Sequence, residues 1–145
     1  MTRALLLTHA GATLGMVGLI WTVQVVHYPL FDGVGADAFP SYEARHTSAI
    51  GRLLILPAGL EVITAATLVV VRPPGVPMWL VLGAGAVLAG IWIMTALVQA
   101  PAHGLLSDGF DAAVHRRLVD SNWWRTIGWS VRGVAALAMV GLWSP

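Results

Sequence analysis

A short polar segment, residues 39–46, carries Glu43 and His46 three residues apart in a sequence that is otherwise mostly apolar. If this segment is helical, side chains at that spacing lie on one face, so a carboxylate and an imidazole can bind the same ion. Diiron and dimanganese four-helix proteins place Glu and His on helices at this spacing. The spacing alone is common, so its significance depends on where the other histidines fall.

Four of the five histidines fall at the same end of the predicted bundle, one from each predicted helix. Mixed imidazole and carboxylate ligands suit borderline metals, whereas calcium and magnesium prefer more oxygen ligands. We therefore predict one or two iron, zinc, manganese or copper ions, bound by His27, Glu43, His46, His103, Asp111 and His115. Four polar residues nearby in sequence are predicted to orient these ligands: Gln24, Tyr42, Gln99 and Asn122.

A second interpretation of this end of the chain needs no metal. Histidines are common at membrane interfaces, where a half-polar ring is stable. Glu43 and Asp111 then form salt bridges on a solvated surface with Arg45, Arg116 or Arg117.

The composition is that of a membrane protein: 57% of the residues are hydrophobic and 10% are charged, against about 25% charged in soluble domains. Lysine is absent and the net charge is +1, so the chain lacks the basic surface of a nucleic-acid-binding protein. Without cysteine, disulfides, zinc fingers, thiolate iron–sulfur sites and covalently attached haem are excluded.

Four apolar segments separated by short breaks predict the elements that carry these residues. We expect helices over about residues 4–30, 40–72, 77–100 and 108–142, with Ser107 or Asp108 capping the fourth. Pro40 suits a first helical turn, and Pro57 should kink the second helix. The fold class is thus an all-α, integral membrane, antiparallel four-helix bundle with up-down-up-down topology, in one domain over residues 1–145. Gly11, Gly15 and Gly18 have the small-residue spacing that lets another helix approach closely.

Three ionisable residues lie deeper in the predicted bundle. Counted along the helices, Glu61 lies about 22 Å from His46, Arg132 about 26 Å from His115, and His9 about 27 Å from His27. An ionisable group inside a membrane is costly unless it has a partner. We therefore predict a Glu61–Arg132 ion pair, which His9 can join. The functional alternative is that these residues form a proton route or bind a polar head group of a substrate.

Five arginines flank the histidine end, against two at the other end. The positive-inside rule then predicts that the histidine end faces the cytoplasm, in the inner membrane of a bacterium.

Several motifs in the second half of the chain resemble small four-helix bacterial membrane proteins, some of them similar to anthrone-oxygenase-like proteins. The resemblance covers about residues 95–135, with 99–106 (QAPAHGLL), 115–119 (HRRLV), 122–126 (NWWRT) and a Trp129-x-x-Arg132 motif. It implies the four-helix topology and the oxidation of aromatic polyketides. In the pattern of that family an asparagine stands at the position of His103.

Together these features favour a metal-dependent membrane oxidoreductase or oxygenase that acts on a lipophilic molecule taken from the lipid bilayer. One alternative is a b-type haem or quinone redox protein with two axial histidines. Another is a non-catalytic protein that carries metal or forms part of an assembly, for example a homo-oligomer. No nucleic acid is expected as a partner.

Overall fold

The computed structural model describes residues 2–144, and this part of the chain contains helices and no strand. Four long helices follow one another: α1 (Thr2–Gly33), α2 (Phe39–Val71), α3 (Met78–Ser107) and α4 (Ala112–Leu142). Pro40 lies in the first turn of α2, as predicted, and Pro57 lies inside that helix. The predicted all-helical fold is therefore confirmed.

Two of the helices change pitch as they approach the histidine end. α1 contains a π-helical turn at Val23–His27 and finishes in a 3₁₀ turn at Pro29–Gly33. α3 contains a second π turn at Thr95–Gln99. π turns are rare and often occur at functional sites, because the extra residue re-aims the side chains that follow it.

The predicted end of the third helix near residue 100 is wrong. After the π turn, α-helical structure resumes at Ala100–Ser107, with Pro101 in the first turn of that segment. Proline is tolerated there because its missing N–H is not needed for a helical hydrogen bond. His103 therefore lies on a helix and not in a loop.

The predicted cap of the fourth helix is also wrong. α4 begins at Ala112, and the Asp111 side chain caps it by accepting hydrogen bonds from the backbone N–H groups of Ala113 and Val114, at 2.8 and 2.9 Å. A short carboxylate at this position satisfies donors that have no partner within the helix.

Two apolar clusters hold the helices together, and each takes residues from all four. One includes Met16, Ala58, Ile91 and Trp129, and lies next to the histidine end. The other is built around Leu6, Leu68, Val81, Ala84 and Met139. The first cluster also contains Val23 and Ala102, which lie close in sequence to His27 and His103.

Three of the helices, α1, α2 and α3, are long and apolar enough to cross a membrane. α4 is less apolar, because charged residues such as Arg125 and Arg132 interrupt it. Large apolar side chains also face outward, among them Ile55, Val70 and Trp79, each more than 70% exposed. These features are consistent with a membrane protein.

The glycines predicted to allow close helix approach are not the ones that do so. A Cβ atom added at Gly11, Gly15 or Gly18 would meet nothing within 4 Å. A Cβ at Gly128 would instead lie 2.9 Å from Cγ1 of Ile91. α3 and α4 therefore pack closely at Gly128, while the glycine stripe of α1 stays open.

Candidate histidine centre

Three of the predicted metal ligands on three helices meet as a cluster of rings. Nε2 of His27 lies 2.8 Å from Nδ1 of His46, and the centroid of the His46 ring lies 5.3 Å from that of His103. The carboxylate of Glu43 reaches the same cluster, with Oε1 lying 2.5 Å from Nδ1 of His103. We call these four residues, His27, Glu43, His46 and His103, the histidine centre.

Local structure explains why these four side chains converge. Glu43 and His46 lie one turn apart on the first part of α2, and both are buried. His27 is the last residue of the π turn in α1. His103 lies on the α-helical segment that the π turn of α3 precedes. The helical spacing predicted for Glu43 and His46 is therefore observed, and both pitch changes come just before the histidines of α1 and α3.

Tyr28 belongs to this centre although it was not predicted. Its hydroxyl lies 2.8 Å from Nε2 of His103, opposite the nitrogen that faces Glu43. With a neutral His103, Nδ1–H donates to Glu43 and Nε2 accepts the proton of the Tyr28 hydroxyl. A carboxylate, an imidazole and a phenol thus form one hydrogen-bonded chain across three helices.

Two of the predicted ligands do not reach the centre. Nε2 of His115 donates to the backbone carbonyl of Tyr28 at 2.8 Å, and its ring stacks on Phe31 with 6.1 Å between centroids. Asp111 is the cap of α4. The two backbone N–H groups that it accepts hold the pKa of Asp111 below its usual value. The predicted six-residue ligand set is wrong in these two members.

As they stand, no three His, Asp or Glu side chains within residues 2–144 are arranged to hold a metal ion. The reason is that the ring nitrogens of His27 and His46 are bonded to each other and not to a shared point. Two ligand nitrogens of a tetrahedral ion lie about 3.3 Å apart, given bonds of about 2.0–2.1 Å. The observed separation of 2.8 Å between Nε2 of His27 and Nδ1 of His46 is shorter than that.

Two polar atoms of the centre have no hydrogen-bond partner although they are buried: Oε2 of Glu43 and Nε2 of His46. Buried polar atoms in folded proteins nearly always have a partner. Both atoms belong to residue types that bind transition-metal ions in proteins.

Of the four residues predicted to orient the ligands, only Gln24 and Asn122 belong to one polar network. Gln24 accepts from Asn122 Nδ2 at 2.9 Å, and Asn122 in turn accepts from Arg125 Nη1 at 3.0 Å. Gln99 donates to Ser121 at 3.1 Å. Tyr42 makes only ring contacts, with its centroid 6.4 Å from that of His27. None of these four makes a hydrogen bond to a histidine in the described chain.

The deeper polar layer forms as predicted between α2 and α4. Nε of Arg132 lies 3.1 Å from Oε1 of Glu61, and both side chains are almost completely buried. Trp129 Nε1 donates to the other carboxylate oxygen at 3.0 Å. Arg132 also donates to the backbone carbonyl of Ala84 on α3. His9 lies beside the pair and is hydrogen-bonded to Thr64 at 2.8 Å.

Two clefts on the surface of the bundle reach the histidine centre. One has a volume of about 450 Å³ and is lined by His27, Tyr42, Arg45 and His46 together with apolar residues of α2. The other, of about 400 Å³, lies between α2 and α3 and is lined by Tyr28, Gln99, His103 and Arg125 among others. A molecule in either cleft would contact at least one histidine of the centre.

Two residues at the centre escaped the sequence-based reasoning, Tyr28 and Phe31. Tyr28 follows His27 directly, and the rings of Phe31 and His46 lie 5.2 Å apart. The grouping of aromatic residues around His27 and Tyr42 was the signal that could have indicated them.

Comparisons with known proteins identify no relative. No family model, no curated protein and no solved structure matches this chain significantly. The resemblance to anthrone-oxygenase-like proteins therefore stays a prediction that rests on the motifs alone.

Proposed function

We propose that this chain is an integral membrane protein with four antiparallel helices in up-down-up-down order. The two apolar clusters support this order, because each joins opposite ends of successive helices. The apolar outer faces of α1, α2 and α3 support insertion. α4 then also spans the membrane, with Arg125 and Arg132 turned into the bundle, where both are buried.

The arginines near the histidine centre support a cytoplasmic location for that end, in the inner membrane of a bacterium. Arg45, Arg52, Arg116 and Arg117 flank it. Basic residues next to spanning helices favour the cytoplasmic side.

The proposed activity is a metal-dependent oxidoreduction of a lipophilic molecule. One observation carries it: side chains distant in sequence, from three helices, bring three imidazoles and a carboxylate together in a partly buried cluster. Keeping ionisable groups next to a membrane interior is costly, and such groups usually serve a function. The ligands of this proposal are His27, Glu43 and His46, because both ring nitrogens of His103 already bond to Glu43 and Tyr28.

When bound, an iron, copper or manganese ion would supply a redox centre, with dioxygen as the electron acceptor. Around it, the chain's own residues have separate tasks. Glu43 fixes the orientation of the His103 ring, because it accepts from one ring nitrogen. Tyr28 holds a proton next to the other nitrogen, at the wall of the cleft between α2 and α3. This arrangement suits proton transfer to or from a molecule in that cleft.

A b-type haem is less compatible with the geometry. Two axial imidazoles must lie on opposite faces of a flat macrocycle, with the iron between them. The rings of His27 and His46 instead lie 2.8 Å apart at their nearest nitrogens, with no space for a macrocycle between them. A non-catalytic metal carrier uses the same ligands and differs only in lacking turnover.

Metal analysis of the protein purified in detergent without chelator tests this proposal. We expect at least one transition-metal ion per chain, and we expect His27→Ala and His46→Ala to lose most of it. Asp111→Asn is the matched control, because this carboxylate caps α4 and lies outside the centre. His115→Gln should likewise keep the metal.

Three results would contradict the proposal. They are a metal-free wild type that also fails to bind added iron, copper, manganese or zinc, equal metal content in His46→Ala, and loss of metal in Asp111→Asn. A sharp Soret band in the visible spectrum would favour haem instead. If the protein keeps its metal but takes up no dioxygen in the presence of lipophilic reductants, the result would favour a metal carrier.

A further inference from the structure

Arg125 occupies an unusual position in the bundle. It is 7% exposed, and its side chain lies at the junction of three cavities. These are the cleft between α2 and α3, a cleft between α3 and α4 next to Trp124, and a small internal void beside Trp129. No other charged residue in the described chain lines more than one of these three cavities.

The polar contacts of Arg125 leave its charge without an anion. Nη1 donates to Asn122 Oδ1 at 3.0 Å, and the guanidinium lies over the Trp129 ring, 5.3 Å from its centroid. The Tyr28 hydroxyl lies beside it. Nε is buried and has no acceptor. Within residues 2–144 Arg125 forms no salt bridge.

The other buried arginine, Arg132, does have an anionic partner. Arg132 pairs with Glu61 at 3.1 Å. A buried charge is costly unless it is paired, and more so next to hydrocarbon. An oxygen anion that enters the cleft would give Arg125 the partner that Glu61 gives Arg132.

The cleft between α2 and α3 combines this cation with an apolar wall. Ile50 and Leu54 of α2 line it, while Gln99, whose Oε1 is buried without a partner, lies near Arg125. The volume of about 400 Å³ is near the lower end of the range for ligand sites. Such a site fits one hydrocarbon chain with a small head group better than a two-chain phospholipid.

We propose that the α2–α3 cleft binds a single-chain amphiphile with a carboxylate head, whose oxygens pair with Arg125 while its chain lies along Ile50 and Leu54. The head group would then lie next to Tyr28 and His103, at the histidine centre. The proposed amphiphile would be the substrate of the proposed oxidoreductase, and this part of the inference rests on the proposed function. The binding itself requires neither metal nor turnover.

The test is a titration of palmitate into metal-free protein in dodecyl maltoside, followed by calorimetry. We expect saturable binding near one per chain, weakened at least tenfold in Arg125→Gln. Methyl palmitate, which keeps the chain and lacks the charge, should also bind at least tenfold more weakly. Arg45→Gln is the matched control, since Arg45 lines the other cleft, and its Kd should stay within twofold.

If Arg125→Gln does not fold, a second pair of variants tests the same cleft. Gly104 lines the cleft, and a Cβ added there meets nothing within 4 Å, so Gly104→Leu fills the cleft without disturbing Arg125. Gly51→Leu, at another open glycine, is its control. We expect Gly104→Leu to abolish palmitate binding and Gly51→Leu to preserve it.

Non-saturable binding of palmitate, or equal affinity in Arg125→Gln or Gly104→Leu, would overturn the inference. Displacement of palmitate by dioleoylphosphatidylglycerol at equal concentration would also overturn it, in favour of a phospholipid head-group site. Because the assay is metal-free, palmitate binding in a protein that never holds metal would sustain this inference and refute the proposed enzyme. Metal binding without palmitate binding would sustain the proposed enzyme and refute this inference.

Discussion

Oε1 of Glu43 on α2 lies 2.5 Å from Nδ1 of His103 on α3, and this bond closes the histidine centre at one end of the α2–α3 cleft. The two residues are 60 positions apart in sequence. On the other side of the His103 ring, the Tyr28 hydroxyl lies 2.8 Å from Nε2. The imidazole is therefore held between an acceptor and a hydroxyl, an arrangement that selects one tautomer.

Removal of the Tyr28 hydroxyl tests this arrangement. In Tyr28→Phe, Nε2 of His103 loses its hydrogen-bond donor while Glu43 still accepts from Nδ1. The Nδ1–H tautomer should therefore persist, and the resonance of Nε2 should shift to that of a ring nitrogen without a donor. ¹⁵N NMR of histidine-labelled protein measures this directly, since the two ring nitrogens of a fixed tautomer have well-separated shifts. If the chain takes part in proton transfer, turnover should fall by about 100-fold or more, while metal content stays unchanged.

Tyr42→Phe is the control for that experiment, because Tyr42 contacts His27 only through its ring. Its His103 spectrum should match that of the wild type. An unchanged His103 spectrum in Tyr28→Phe would show that the Tyr28 hydroxyl does not donate to His103.

The Glu61–Arg132 pair should contribute strongly to stability. Replacing one partner, as in Arg132→Met, leaves a buried carboxylate without its cation, which costs about 3–5 kcal/mol in comparable buried pairs. Unfolding in mixed detergent micelles, followed by circular dichroism, measures the loss. In the metal-free protein this loss should exceed that of any single alanine substitution at the histidine centre.

Two further variants separate a pairing effect from a packing effect. The double variant Glu61→Leu/Arg132→Met removes both charges, so it should be more stable than Arg132→Met alone. Arg52→Gln, at an exposed arginine bonded only to Ser48, should change the free energy of unfolding by less than about 0.5 kcal/mol. Equal losses in Arg52→Gln and Arg132→Met would contradict a buried ion pair.

The cap of α4 predicts a dependence on pH. Because backbone N–H groups bond its ionised form, Asp111 has a lower pKa in the folded protein than in the unfolded chain. Its contribution to stability is therefore complete above the unfolded value, about 3.9. It is lost as the pH falls from there through the lower folded value.

Hydrogen exchange at the amides of Ala113 and Val114 measures this effect, because Asp111 accepts from both. Protection should decrease as the pH is lowered through that range, after correction for the intrinsic exchange rate. In Asp111→Asn the decrease should disappear, because an amide cap does not titrate. A decrease of equal size in Asp111→Asn would assign the effect to another group.

Local physics was sufficient to predict much of this protein from the sequence. Four helices follow from long apolar runs broken by glycine and proline. The Glu61–Arg132 pair followed from the high cost of a single charge at that depth. The Glu43–His46 pair could be predicted because both residues lie on one turn of a single helix.

Tertiary structure alone decided which histidines meet. His115 was predicted at the right end of the bundle, yet its ring stacks on Phe31 and bonds to the Tyr28 carbonyl. The two π turns shift the side chains that follow them, and such changes of pitch do not appear in a spacing of residue types. Tyr28 took its place because packing, and not periodicity, determines where a side chain points at the end of a helix.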